Sequence, residues 1–111
     1  MIGIIYRSYI KKDYQEKYQN AWEIIADYFV QERGAIGSCL HKIDEGYFLA
    51  YSRWPNRKVR EKSKIINLIN DKNVPEKVRL AVKVIQNAKD TNKEKFNEIV
   101  MDLINDKLIN N

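Results

Sequence analysis

The stretch GYFLAYSRWPNR, residues 46–57, puts large aromatic or apolar side chains on both sides of what reads as a β-strand. Successive side chains in a strand point to opposite faces, so Phe48, Ala50 and Trp54 share one face and Tyr47, Leu49 and Tyr51 the other. Both faces must be covered. A chain of 111 residues has few elements with which to do that, and the requirement limits its folds more than any other feature.

The neighbouring segments supply candidate partners. Residues 2–10 (IGIIYRSYI) are short, β-branched and aromatic, and end at the polar Lys11, Lys12 and Asp13, which predicts a first strand. Asp13 is placed to cap a helix, with Glu16 three residues on as its capping-box partner. Tyr14, Tyr18, Ala21, Trp22, Ile25 and Phe29 then follow one helical face, and Gly34 supplies a left-handed stop. Residues 35–43 (AIGSCLHKI) and 47–54 form a predicted hairpin across Asp44-Glu45-Gly46. Pro55 and Asn56 end the strand and cap a helix running through Val59 and Ile66 to about Ile69. Asp71-Lys72-Asn73 breaks it, and Pro75 opens a further helix at its first position, with Val78, Ala81, Val82 and Ile85 inward.

Residues 96–109 carry two patterns. Phe96, Ile99, Val100, Leu103, Ile104 and Leu108 make a helical stripe, whereas Ile99, Met101 and Leu103 alternate as in a strand. The order β-α-β-β-α lacks the returning strand of a split βαβ arrangement, so a strand over roughly 97–103 is the expectation. The predicted fold is therefore α+β, a ferredoxin-like β-α-β-β-α-β chain with an extra helix before the last strand, in a single domain over 1–111.

A three-residue hairpin link sets Ile43 opposite Tyr47 and pairs 41 with 49, 39 with 51, 37 with 53, 40 with 50, 38 with 52 and 36 with 54. Ile36, Ser38, Leu40, Phe48, Ala50, Ser52 and Trp54 then face the helices, with Ile2, Ile4, Tyr6, Ser8 and Ile10 of the first strand. The opposite face holds Arg7, Tyr9, His41, Tyr47, Leu49, Tyr51 and Arg53. Both crossover helices pack on one sheet face in this topology, so a second copy of the chain is the economical cover for the other, as a sheet-to-sheet homodimer.

Charge and composition narrow the function classes. Residues 1–55 balance seven basic against seven acidic side chains, while residues 56–95 hold twelve basic and five acidic. These lysines alternate with apolar residues at helical spacing, which reads as a solvated helix surface more than as a nucleic-acid contact. One cysteine and one histidine build neither a disulfide framework nor a His/Cys zinc site, and no acidic cluster suggests a metal. No apolar run is long enough to cross a bilayer, and the first nine residues lack a basic lead-in and cleavage site, so the expectation is a cytoplasmic chain. There is no Gly-rich phosphate loop, Ser/His/Asp set or dinucleotide fingerprint, so no cofactor is assigned.

The segments ERGAIGSCLHK and GYFLAYSRWPNRKVRE, after a strand that ends in polar residues before a long helix, resemble the antibiotic biosynthesis monooxygenase superfamily of dimeric α+β barrels. The likeness covers about residues 2–62, with Trp54-Pro55-Asn56 at the strand end that relatives mark with Trp and a Pro or polar residue; EKFNEIVMDLIND is similar to a terminal strand. The resemblance implies a dimer and, in some members, cofactor-free oxygenation of quinol-type substrates. In haem-degrading members an Asn on the first strand and a Trp and a His on the second helix form the working set. Tyr6 stands at about that Asn position and residues 56–95 contain no His, which argues against haem degradation.

Such an oxygenase needs a dry pocket for an electron-rich phenol or quinol. The candidate pocket lies between sheet and helices and is lined by Tyr6, Ser8, Trp22, Ser38, Ser52 and Trp54, although both tryptophans would also serve as ordinary core. His41 falls on the dimer face in this register, although a two-residue turn would flip the pairing and could bring it inward as a base, and Cys39 has no sequence neighbour to lower its pKa, so no catalytic residue is assigned. Two rival readings stand beside the oxygenase. One is a structural or regulatory dimer without a reaction. The other is an RNA-binding module of the same β-α-β-β-α-β order, against which stand Glu45 before the glycine, the tight hairpin and the long first helix.

Overall fold

The computed structural model describes residues 1–64 and 68–108. Its elements are β1 (Ile2–Tyr9), a 3-10 turn (Lys12–Tyr14), α1 (Gln15–Glu32), β2 (Gly37–Asp44), β3 (Tyr47–Trp54), α2 (Arg57–Glu61), α3 (Glu76–Ala88) and β4 (Ile99–Asp102). The four strands form one antiparallel sheet in the order β2-β3-β1-β4, with α1 and α3 packed together on one face. This is the ferredoxin-like α+β arrangement, and α2 is the additional helix before the last strand. Among the described residues no helix is long and apolar enough to cross a membrane.

Local chemistry sets the joints, in places differently from the expectation. Asp13 does not cap α1. Ile10 and Lys11 are pinned through their N–H groups to the carbonyls of Gly46 (2.7 Å) and Ala88 (2.9 Å), and the chain turns through the 3-10 segment, so α1 starts at Gln15 behind an uncapped Tyr14. Asn56 does cap α2, its Oδ1 accepting the Val59 N–H at 2.9 Å. The expected continuation of that helix does not form: α2 stops at Glu61, with Lys62 as its C-cap and the Ser63 N–H turned back to the Arg60 carbonyl at 2.9 Å, and Ile66 lies outside the described residues. Pro75 sits one position before α3 rather than at its first turn.

The hairpin link is two residues, Glu45 and Gly46, not three. Asp44, rather than Ile43, faces Tyr47, and a bulge between Lys42 and Asp44 absorbs the extra residue. One bulged residue changes parity as a longer link would. Pairs 41/49, 39/51, 37/53, 40/50 and 38/52 therefore stand as expected, while Ile43 is half exposed. Ile36 precedes β2, donates its N–H to the Arg53 carbonyl and is exposed instead of facing the helices. β4 realises the strand pattern of the ambiguous C-terminal stretch, because β1 offers its backbone groups from Ile2 to Ile5 to an antiparallel partner.

The helix face of β3 is buried at Phe48, Ala50, Ser52 and Trp54, and the alternate residues are half-buried. Tyr18, Ile25, Val78 and Val82 pack over it from the helices. Each such side chain removed from water contributes about 1.5–3 kcal/mol. On the opposite face Tyr51 lies across Gly3, where an added Cβ would come within 2.7 Å of the tyrosine ring, so the glycine makes room for the aromatic.

Candidate functional site

β4 pairs with β1 only as far as Ile5, so the second half of β1 has no strand on that side. Here a cavity of about 460 Å³ opens between the sheet, α1, α2 and α3. Of the pocket residues expected from sequence, Tyr6, Ser8, Trp22, Ser38 and Ser52 line it. Trp54 does not. It is 1% exposed, packs against Phe29 with ring centroids 5.4 Å apart, and its indole N–H donates to Ser52 Oγ at 3.2 Å.

The polar centre of the cavity is a constellation that sequence reading missed. Arg60, a buried residue of α2, donates from Nη2 to the Tyr6 hydroxyl at 2.9 Å and from Nε to the same oxygen at 3.2 Å. The same Nη2 donates to Glu98 Oε2 at 2.6 Å. Burial pushes the Tyr6 phenol above its usual range, against the opposing pull of Arg60, so Tyr6 is a neutral hydroxyl at physiological pH. Tyr18 on the same wall is pushed up to about 12 by burial. Trp22, Phe29 and Ala50 supply apolar surface, and Ser38 stands opposite Ser52 across the β2–β3 pair, where two small side chains leave depth. The result is a slot with more apolar than polar surface, holding a cation and hydroxyl groups among its lining, which suits a flat ring system carrying an oxygen.

Both missed residues had a signal. Ile5 pairs with Ile99, so continuing that register sets Glu98 against Tyr6 on the helix face. Arg60 follows the inward Val59 and precedes the buried Ser63 in a helix start marked by Asn56, but it was submerged in a basic segment read as solvated surface.

The residues expected on the opposite face are partly covered by the chain itself. Tyr9 and Tyr47 stack with centroids 4.6 Å apart, and Phe96 lies 5.5 Å from Tyr47. The Arg7 guanidinium sits 4.4 Å over Phe96, at the sheet edge rather than in the open middle of the face. Arg53 donates to the Tyr51 hydroxyl at 3.1 Å and pairs with Asp106, whose carboxyl it holds below the usual range. His41 is exposed, with Nε2 3.4 Å from Cys39 Sγ, and Leu49 is half-buried opposite it in β3.

A four-stranded antiparallel sheet, a helical layer on one side and a cavity between them define a ferredoxin-like α+β protein with a cleft between its layers. No protein-family model and no curated protein matches the chain. Solved structures do. An antibiotic biosynthesis monooxygenase matches with a TM-score of 0.68 at 18% identity, over 95% of this chain and all of the other. SnoaB, a cofactor-independent oxygenase from Streptomyces nogalater, matches with a TM-score of 0.67 at 7% identity, covering 97% of each. A conserved protein from Methanosarcina mazei gives 0.65 at 10% identity, over 89% of this chain and 88% of its own. The chain has the fold of the antibiotic biosynthesis monooxygenase-like structures.

Proposed function

We propose that the chain, acting as one domain, is a cofactor-independent monooxygenase, or a relative that keeps the binding step, for a small hydrophobic aromatic metabolite held between sheet and helices. The observation that carries this reading is the Tyr6–Arg60–Glu98 constellation in a cavity of about 460 Å³ whose walls include Trp22, Phe29 and Ala50. The oxygenase named among the structures of this fold adds a precedent for the chemistry.

In this reading Arg60 favours the deprotonated form of a phenolic substrate, and the electron-rich ring itself reduces dioxygen. For a ring CH₂ activated by such a phenol, the substrate and one O₂ become a ring ketone and one water, so no external reductant is needed. Tyr6, kept neutral, donates to oxygen as negative charge develops there, and the apolar walls exclude solvent from the intermediate. Anthrone, a tricyclic keto tautomer of a phenol, is a suitable probe. Wild-type protein is expected to accelerate its conversion to anthraquinone with uptake of one O₂ per quinone, and Tyr6→Phe to lower that rate by about a hundredfold. A wild-type rate equal to buffer, with anthrone bound, would leave a binding protein and remove the enzyme.

The half-buried face of Leu49, Tyr51 and Arg53, with the exposed His41 beside it, supports a sheet-to-sheet homodimer as part of the same proposal. Sedimentation at micromolar concentration is expected to give a dimer that Leu49→Arg converts to monomer. A wild-type monomer would end the dimer proposal without touching the cavity.

A further inference from the structure

A second chamber of about 340 Å³ lies against the first and shares Ser8, Gln86, Lys89 and Phe96 with it. It occupies the gap left where β4 stops short along β1. The far end of that gap is closed by the Ile10–Lys89 bridge and by the Asp90 N–H donating to the Tyr9 carbonyl at 2.9 Å. Three basic side chains, Arg7, Lys89 and Lys95, meet two acidic ones there, Asp90 and Glu94, which leaves one net positive charge. Asp90 is already engaged, accepting the Asn92 N–H at 3.0 Å to close its own turn. Among the described residues none of the three bases is in an ion pair.

Arg7 is the telling residue. Its guanidinium is stacked on Phe96, and its Nε is buried without a hydrogen-bond partner. That Nε is shut off from the chamber, whereas the residue lines it and forms no ion pair among the described residues, so the terminal nitrogens of the guanidinium are the donors an acceptor there would meet. Stacking on the ring fixes the guanidinium plane, and the edge formed by Nη1 and Nη2 is the one left to bind a planar, two-oxygen anion, which carboxylates match.

We propose that this chamber is an anion subsite, in which Arg7, assisted by Lys89 and Lys95, receives a carboxylate carried by the same aromatic ligand whose rings fill the main cavity. The inference rests on the ligand reading of that cavity and narrows it to hydroxylated aromatic acids. Phe96, common to both chambers, separates ring from carboxylate, and one net positive charge suits a monoanion better than a phosphate dianion.

The test compares naphthol with hydroxynaphthoate, titrated separately and followed by the fluorescence of Trp22 on the cavity wall. Hydroxynaphthoate is expected to bind about tenfold more tightly or better, a ratio that corresponds to one charge-assisted hydrogen-bonded contact. Arg7→Gln should erase that advantage and leave naphthol affinity unchanged, and raising salt should reduce the advantage alone. Lys95→Gln, at an exposed position, should show a smaller loss in the same direction, and it carries the test if Arg7→Gln does not fold. Naphthol binding with no carboxylate advantage would overturn the subsite and leave the cavity reading intact. Failure of both ligands to bind would overturn the subsite together with that reading.

Discussion

Truncating Trp54 to alanine lowers folding stability by about 3–5 kcal/mol, the range for removing a large buried aromatic and leaving a void. Small domains are stable by only about 5–15 kcal/mol, so the variant should melt about 12 °C or more below the wild type. The indole is 1% exposed, shares a cluster with Ile2, Ile4 and Ala35, and touches Phe29. Its N–H is satisfied by Ser52, a residue that also lines the cavity. Trp54→Phe keeps most of the packing and drops that hydrogen bond, so about 1 kcal/mol is expected from the lost bond. Thermal melts of the two variants check the contrast. If Trp54 instead served as a ligand wall, Trp54→Ala would leave the melt near that of the wild type and remove ligand binding.

Glu98→Ala has effects of opposite sign on stability and binding. The Arg60 side chain is 8% exposed and that of Glu98 is 33% exposed, so removing the carboxylate leaves a nearly buried guanidinium with only Tyr6 as a side-chain partner. Breaking a fully buried pair costs about 3–5 kcal/mol, and the partial exposure of Glu98 reduces the expectation to about 1–3 kcal/mol. The uncompensated Arg60 charge should in turn hold a phenolate more tightly, so denaturation and naphthol titration move in opposite directions. Glu98→Gln should give intermediate values on both. A variant that loses stability and affinity together would show that Glu98 supports the shape of the cavity rather than balancing its charge.

The architecture was legible because parity is a strong constraint. The apolar residues of β3 forced a two-sided account of the sheet, and the register of residues 37–41 against 49–53 followed from one assumed turn. That turn was wrong in detail and right in parity, since a bulge at Ile43 replaced a longer link; periodicity counts residues and cannot distinguish the two. The four-residue β4 carried a strand alternation at Ile99 and Met101 that competed with a helical stripe beginning at Phe96, and topology decided between them; Phe96 instead lies beside β1, against Tyr9 and Tyr47.

The cavity was legible where it is built from strand residues of known parity, namely Tyr6, Ser8, Ser38 and Ser52. Trp54 shares their parity, but it lies near the end of β3, where Phe29 of α1 covers it. Parity fixes a face and not a depth along it. Arg60 escaped because a five-residue helix has too little periodicity to tell an inward arginine from its exposed neighbours. Arg7 has the parity of Tyr9 and Leu49, as expected, and beside the length of β1 that has no β4 partner its guanidinium lies on Phe96, a contact that parity does not reveal.

The central claim is that the space between sheet and helices is a site for an oxygenated aromatic ring. A crystal structure of the protein grown with hydroxynaphthoate addresses it directly. Ring density is expected beside Trp22, with the phenolic oxygen within hydrogen-bonding reach of Tyr6 or Arg60. A cavity occupied only by ordered water at saturating ligand, or closed by its own side chains, would contradict it.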